Sequence, residues 1–245
     1  MHSGTVQSVR FNANDRYLVS AAGDKTVILW NTTTWKPEKT FYGHSNRVND
    51  AVMSSDERLV VSGSEDSNVH LWSVVTGELV SVLYEHGGPV TSVDFSPDAK
   101  TFVSASKDRD VILWDVDTEK VKYTLSGHLN SVLAVRFSKD GSYVVSGSKD
   151  GSLIMWNVHS GHQMFTQTVK EGWPTTLAFS TDGRKLCVGF NDGMIRVYSF
   201  ESYREMVCLL LLFYIVGNER DCYGICVVGR YGMAGTCRSC FSSCM

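Results

Sequence analysis

The sequence predicts an all-β fold built from repeated four-stranded antiparallel sheets. The first observation is a period of 42 residues, at which a tryptophan recurs four times and a tyrosine takes the fifth position. The second is that each period holds short β-branched runs bounded by turns, which in the fourth and fifth repeats are Asp-Gly turns, a pattern typical of antiparallel hairpins. A repeat of about 40 residues with four strands has the length of one blade of a β-propeller. The aromatic residues that mark the period are Trp30, Trp72, Trp114, Trp156 and Tyr198.

The fourth repeat shows the predicted elements in order. Residues 132–137 (VLAVRF) form a first strand, 143–148 (YVVSGS) a second and 152–156 (SLIMW) a third, with turns at KDGS and KDG between them. A fourth, more polar run suits a solvent-facing outer strand, as in KVKYTL at 120–125 of the third repeat. Five such repeats are expected, with the boundaries 2–43, 44–85, 86–127, 128–169 and 170–209.

At this level of detail the sequence resembles the WD40 repeat family. The resemblance is carried by Gly43–His44 and Gly127–His128, by an aspartate in each turn between second and third strands, and by the closing tryptophans, of which Trp114–Asp115 spells the family's dipeptide. In that family a His, a Ser or Thr, an Asp and a Trp form a hydrogen-bonded tetrad inside each blade. The resemblance therefore implies four structural tetrads. They are His2, Ser20, Asp24 and Trp30; His44, Ser62, Asp66 and Trp72; His86, Ser104, Asp108 and Trp114; and His128, Ser146, Asp150 and Trp156.

The same His, Ser and Asp are the residue types of a hydrolase triad, which is a remote alternative. Four copies of a triad in one chain would be unusual, and none has a Gly-x-Ser-x-Gly elbow. We therefore predict no catalytic residue and no enzyme. In the fifth repeat Lys170, Val188 and Tyr198 replace His, Ser and Trp, so only Asp192 of the tetrad remains. That blade is expected to be held by apolar packing and to be the least stable.

The resemblance implies a non-catalytic scaffold that binds peptides or proteins on the propeller's top face and rim. An alternative within that class is a substrate-recognition adaptor of a larger complex, such as a ubiquitin ligase, a ciliary or an RNA-processing assembly. Cations on adjacent blades predict a basic patch for acidic or phosphorylated motifs, against the simpler interpretation as solvated turn residues. Trp173 is expected either to anchor a partner or to pack over the pore. The candidate partner-binding residues are Asn46, Arg47, Glu65, Lys107, Arg109, Asn130, Ser131, Lys149, Trp173 and Asn191.

Composition adds expectations about the compartment and excludes some partners. A formal net charge of −3 gives no basic footprint for nucleic acid or anionic lipid, so neither is expected as a direct partner. The first residues lack a basic stretch followed by an apolar segment, which argues against a signal peptide and favours a cytoplasmic or nuclear location. No cofactor and no metal site are expected in the repeats.

The most apolar stretch, EMVCLLLLFYIVG at 205–217, spans the end of the repeats. Its first five residues are in phase with the outer strand of the fifth repeat, and residues 210–245 are expected to be an unrelated, poorly ordered Cys- and Gly-rich tail. The apolar run Met206–Val216 has 11 residues, against about 20 for a spanning helix, so a membrane segment is a minor alternative. A zinc site is another minor alternative, because four tail cysteines have loosely suitable spacing. These are Cys222, Cys226, Cys237 and Cys240.

The repeat count also predicts an incomplete propeller. Propellers of the WD40 family have six to eight blades and close by pairing an N-terminal strand with the last blade. Five repeats that begin at the loop histidine His2 leave no such strand, so an open arc, a fragment or alternative product of a longer protein, is expected. The alternative is that the five blades close by themselves, since smaller propellers exist. An open arc would expose the faces of its end blades.

Overall fold

A computed structural model describes residues 1–202, 205–211 and 227–228 of the chain. Within these residues the secondary structure consists of β-strands without a helix, and the strands form five antiparallel sheets that are the blades of a β-propeller. The all-β propeller prediction and the five-blade prediction are thereby confirmed. None of the described residues belongs to a helix long and apolar enough to cross a membrane.

The strands follow the 42-residue period from blade to blade. Blade 1 contains β1 (Val6–Phe11), β2 (Tyr17–Ala22), β3 (Thr26–Asn31) and β4 (Lys36–Tyr42). Blade 2 contains β5 (Val48–Met53), β6 (Leu59–Ser64), β7 (Val69–Ser73) and β8 (Leu79–Leu83). Blade 3 contains β9 (Val90–Phe95), β10 (Thr101–Ser106), β11 (Asp110–Asp115) and β12 (Lys120–Ser126). Blade 4 contains β13 (Val132–Phe137), β14 (Tyr143–Ser148), β15 (Ser152–Asn157) and β16 (Gln163–Thr168). Blade 5 contains β17 (Pro174–Phe179), β18 (Lys185–Phe190), β19 (Ile195–Ser202) and β20 (Glu205–Leu211), with β21 (Val227–Val228) beside β20.

Adjacent strands pair in sequence order within each blade, which fixes the face that each side chain presents. In blade 4, Ser146 of β14 lies opposite Val135 of β13 and Ile154 of β15. Side chains alternate between the two faces of a strand. In blades 2–5 the first strand packs its apolar face on the preceding blade, and the polar fourth strand of each blade lies at the rim.

The core lies between neighbouring blades rather than at a single centre. One cluster joins Val103 and Leu113 of blade 3 to Val132, Val135 and Phe137 of blade 4. Each of these five side chains is at most 5% exposed. Burying such aliphatic and aromatic surface is the main stabilising contribution to each blade junction.

The two end blades carry junction faces that no described blade covers. Val6, Val9 and Phe11 of β1 are 46%, 59% and 56% exposed, although their counterparts in the next three blades are buried. On blade 5, Cys187 is exposed at the position where blades 1–4 bury a valine. A cavity of about 520 Å³ opens between the inner strands, lined on one side by residues 7–10 and on another by residues 176–179.

The apolar stretch near the end of the repeats forms the outer strand of blade 5, as its phase predicts. Val197 pairs with Leu209, Tyr198 with Cys208 and Ser199 with Val207. The strand runs to Leu211, two residues beyond the predicted repeat, and its end pairs with β21. Most of the tail, including the cysteines of the zinc alternative, lies outside the described residues.

Candidate functional site: blade tetrads and the top face

Blade 2 shows how one set of tetrad residues is connected. Trp72 Nε1 donates to Ser62 Oγ over 2.8 Å, and His44 Nε2 lies 2.8 Å from the same hydroxyl. His44 Nδ1 lies 2.9 Å from Asp66 Oδ2. A neutral imidazole with its proton on Nδ1 completes this chain, because the serine then donates to Nε2 and the aspartate accepts from Nδ1. The chain ties the loop before β5 to the β6–β7 turn and to β7.

The other three sets repeat this geometry. The indole nitrogen lies 2.7–2.8 Å from the serine oxygen, the histidine Nε2 2.7 Å from that oxygen, and the histidine Nδ1 2.8–3.3 Å from the aspartate. Buried polar groups that are mutually satisfied fix one strand register. The sets are His2, Ser20, Asp24 and Trp30; His86, Ser104, Asp108 and Trp114; and His128, Ser146, Asp150 and Trp156.

The serines are placed poorly for nucleophilic attack. Ser62, Ser104 and Ser146 are 0% exposed and Ser20 is 3% exposed. Each hydroxyl oxygen also accepts the indole N–H, so one of its lone pairs is occupied. A hydrolytic serine needs an accessible Oγ and a neighbouring oxyanion site. The geometry is that of a structural network within the blade.

The turn aspartates are held in their ionised form. Burial raises the pKa of Asp24, but hydrogen bonds from Thr26, the Ser3 amide and His2 outweigh it and lower the pKa to about 2. At Asp66 and Asp108, too, burial by itself would raise the pKa. Hydrogen bonds from the histidine and from backbone amides outweigh burial and lower the pKa of both carboxyls. In blade 4 burial lowers the pKa of His128, which favours its neutral form.

Blade 5 replaces the tetrad with a different polar contact. Arg196 Nη2 lies 3.0 Å from Asp192 Oδ2, and its guanidinium carbon lies 3.9 Å from the centre of the Phe190 ring. The expectation that packing alone holds this blade is therefore wrong, because an ion pair joins its third strand to the preceding turn and a cation–π contact joins it to the end of β18. Val188 and Tyr198 are buried, and Lys170 is exposed in the loop before β17.

Blade 2 carries a second histidine that the motif analysis missed. The His70 ring stacks on His44 with centroids 3.6 Å apart and planes 12° apart. His70 is 3% exposed and its Nδ1 has no hydrogen-bond partner among the described residues. Burial and the neighbouring His44 lower the pKa of His70 to about 4. The sequence signal was present, because Ile28, Ile112 and Ile154 occupy the same position of the 42-residue period.

We call the loops before each first strand, together with the turns between second and third strands, the top face. Backbone hydrogen bonds join each such loop to its turn, as from the Lys149 amide to the Ser131 carbonyl and from the Asn191 amide to the Trp173 carbonyl. The predicted partner-binding residues all lie on this face. Trp173 is half-buried, and its amide donates to Asn191 Oδ1 over 2.6 Å.

The structure divides the predicted basic patch into two parts. Glu65 lies 3.2 Å from Arg47 and 2.8 Å from Lys107, so these two cations share one carboxylate. Arg109 and Lys149 are exposed and have no carboxylate within salt-bridge distance among the described residues. Asn46 and Asn130 are exposed as well, and each side-chain oxygen accepts the amide of the next residue.

An apolar feature of the top face also escaped the sequence analysis. Leu129 is 82% exposed in the loop before β13, and its amide donates to Asp150 Oδ2. It lines a groove of about 380 Å³ at the rim of blade 4, together with Ile154 and three polar residues of β16. A single leucine in a loop gives no periodic signal, so only the folded blade shows that it borders a groove. The β16 residues of the groove are Gln163, Thr166 and Thr168.

The fold and the repeated tetrads define a WD-repeat propeller. The chain matches the family described as WD domain, G-beta repeat, over residues 1–31, 35–73, 77–115, 119–157 and 159–199. These matches cover well over half of the sequence, and the chain belongs to the WD40 family. Comparison with curated proteins gave no match. WD40 propellers are generally protein-interaction scaffolds and are typically non-catalytic.

Proposed function

We propose that this protein is a non-catalytic scaffold that binds acidic or phosphorylated peptide segments on its top face and at the rim of blade 4. The observation that carries the proposal is the pairing of two unneutralised cations with an exposed leucine and a groove. Arg109 and Lys149 belong to adjacent blades, and Leu129 lies in the loop next to the Lys149 turn.

The two kinds of contact fit different parts of one peptide. A carboxylate or phosphate gains charge-assisted hydrogen bonds from an arginine or lysine that is not already paired with a carboxylate. An apolar side chain can pack against Leu129 and enter the adjoining groove, whose wall includes Ile154. Arg47 and Lys107 are poorer anion sites, because an incoming carboxylate would compete with Glu65. The proposed peptide thus carries an acidic or phosphorylated residue next to an apolar one.

Peptide arrays followed by fluorescence anisotropy test this function. Each array sequence is presented unmodified, phosphorylated, and with its acidic residues changed to amides. We expect selected peptides to lose about tenfold or more in affinity toward Lys149→Glu and Arg109→Glu variants. Lys122→Glu, an exposed cation on the outer strand of blade 3, is the matched control and should bind normally.

Two results would contradict the proposal. One is a selection with no preference for acidic or phosphorylated sequences. The other is equal loss of binding in the Lys122 and Lys149 variants, which would indicate a general charge effect instead of a site.

The variant Ser146→Ala distinguishes the hydrolase alternative from a structural role of the tetrad serine. If Ser146 is structural, removing its hydroxyl leaves Trp156 Nε1 and His128 Nε2 without their partner and destabilises the fold by about 1–3 kcal/mol. Ser3→Ala, at an exposed serine whose backbone amide bond to Asp24 is kept by alanine, is the control and should leave the denaturation midpoint unchanged. A hydrolytic activity toward ester or peptide substrates that disappears in Ser146→Ala without a change in the midpoint would instead favour catalysis.

A further inference from the structure

We propose that His44, Asp66 and His70 of blade 2 form a binding site for a divalent transition-metal cation, with Zn²⁺ as the reference ion. One possible ligand atom from each of the three residues lies within 4.8 Å of the other two. This site differs from the peptide surface on the top face, and neither proposal depends on the other.

The buried His70 nitrogen is the observation that points to a ligand. His70 Nδ1 has no hydrogen-bond partner among the described residues, although the side chain is only 3% exposed. A buried polar atom without a partner is costly, and native structures rarely retain one without a reason. A cation held between His70, His44 and Asp66 would satisfy it.

Blade 2 differs from blades 1, 3 and 4 in having a second histidine, His70, beside the tetrad. Blades 1, 3 and 4 contain the same His–Ser–Asp–Trp hydrogen bonds, with isoleucine where blade 2 has His70. Those three blades show that the tetrad geometry does not require a second imidazole. The extra histidine converts one histidine–aspartate pair into a set with two imidazoles and a carboxylate. The three isoleucines are Ile28, Ile112 and Ile154.

The donor set suits the proposed ion. Imidazole and carboxylate ligands bind Zn²⁺ at about 2.0–2.2 Å, and three protein ligands leave a fourth tetrahedral position for water. Donors around such an ion are about 3.4 Å apart, so the His44 and His70 rings must rotate out of their 3.6 Å stack to reach it. Rotation of the side chains would bring the donors to the ion, because the loop before β5, the β6–β7 turn and β7 already hold the three residues within reach of one another.

The hydrogen bonds that orient Asp66 can remain when the ion binds, whereas the hydrogen bond between His44 and Ser62 reverses its direction. The cation would lie between His44 Nδ1 and Asp66 Oδ2, where a proton now lies, and the His44 proton would move to Nε2 and donate to Ser62 Oγ. Asp66 is already oriented by the Asn68 amide at Oδ1 and by the Ser45 amide at Oδ2, over 3.0 and 2.9 Å. Such outer contacts orient metal ligands.

Calorimetric titration of the full chain with Zn²⁺, combined with thermal melting, tests the site. We expect one tight equivalent and a rise in melting temperature that grows with the free ion concentration. In the His70→Ile variant the affinity of that equivalent should fall at least about tenfold, since one of three ligands is lost. This variant should fold, because isoleucine occupies the same position in three other blades. His162→Ala, at an exposed histidine, is the matched control and should bind as the parent does.

Co²⁺ spectroscopy distinguishes this site from the cysteines near the end of the chain. Nitrogen and oxygen ligation gives weak visible bands without the strong near-ultraviolet thiolate band. We expect visible bands that disappear in His70→Ile. A thiolate band alone, no binding, or equal Zn²⁺ affinity in the parent and His70→Ile would each overturn the proposal.

Discussion

Arg10 of blade 1 donates to Asp50 of blade 2, with Nη2 2.5 Å from Oδ2. The other terminal nitrogen of Arg10 reaches Asp94 of blade 3 over 3.3 Å, and Arg136 of blade 4 lies 3.8 Å from Asp50. Burial by itself would raise the pKa of both aspartates. For Asp50 the two arginines outweigh burial and lower its pKa, whereas burial dominates at Asp94 and its pKa stays raised. One alternating charge network thus joins the inner strands of four blades.

The network predicts that Asp50→Asn is strongly destabilising. The amide keeps the size of the side chain but removes the charge that Arg10 and Arg136 share. Removing one member of a buried ion pair leaves an uncompensated charge, and the expected loss in unfolding free energy is about 3 kcal/mol. Urea denaturation at neutral pH measures it.

The control for this prediction is Asp117→Asn, an exposed aspartate in the turn between β11 and β12. It should change the unfolding free energy by less than about 0.5 kcal/mol. A loss as small in Asp50→Asn would show that the inner network contributes no net stability.

The period of the sequence predicts the blades, because every repeat encodes the same strands and turns locally. It does not predict the inner network, whose members come from four blades and occupy two alternating positions of the first strand. Nor did it identify the contact between Arg196 and Asp192, since the partners of a charged side chain depend on tertiary packing. His70 could have been found as a departure from the period, but its stacking on His44 requires the three-dimensional structure.

Asp24 predicts a loss of stability in acid. Its pKa is about 2 in the folded chain against an ordinary value of 3.8, so the folded state retains the ionised form at lower pH than the unfolded state does. The resulting contribution to unfolding free energy is therefore fully present above about pH 4 and is lost as the pH falls toward 2. Solvent screening limits it to about 1–2 kcal/mol.

The measurement is the difference in unfolding free energy between the parent and Asp24→Asn from pH 7 to pH 2. We expect the difference to shrink in acid, because both chains then carry a neutral group at position 24. Histidine protonation in the other blades affects both chains and cancels. A difference that stays constant down to pH 2 would contradict the role assigned to the carboxylate.

Trp35 is expected to reduce stability through its backbone conformation. It has a φ of +53° in the turn between β3 and β4, where Gly77 and Gly161 occupy the corresponding positions with φ of +79° and +69°. A bulky residue in this region is disfavoured by about 1 kcal/mol or more, and the ring is 66% exposed, so little packing compensates. Trp35→Gly should therefore raise the unfolding free energy by about 0.5–1 kcal/mol.

Trp35→Ala separates the backbone effect from loss of the ring. Alanine keeps a Cβ and therefore the unfavourable φ, so it should be less stable than the glycine variant. Equal stability of the two variants, or a loss in both, would show that contacts of the indole outweigh the conformational effect.

The exposed junction faces predict concentration-dependent association of this chain. The apolar face of β1 repeats the surface that β5, β9, β13 and β17 bury, and the exposed face of blade 5 repeats the surface on which those strands pack. Copies should therefore associate head to tail, blade 5 of one against blade 1 of the next, in a contact that does not close on itself.

Sedimentation velocity over a range of concentrations measures this association, and Phe11→Ser combined with Val9→Thr should shift the species toward monomer. Val75→Thr, at a valine that is 78% exposed in the turn between β7 and β8, is the control and should associate as the parent does. Cys187 supplies an independent readout: maleimide labelling, located by mass spectrometry, should be fast in dilute solution and slower at high concentration, because the partner's blade 1 covers it. A monomer at every concentration, with uniformly fast labelling, would show that the two faces do not bind each other.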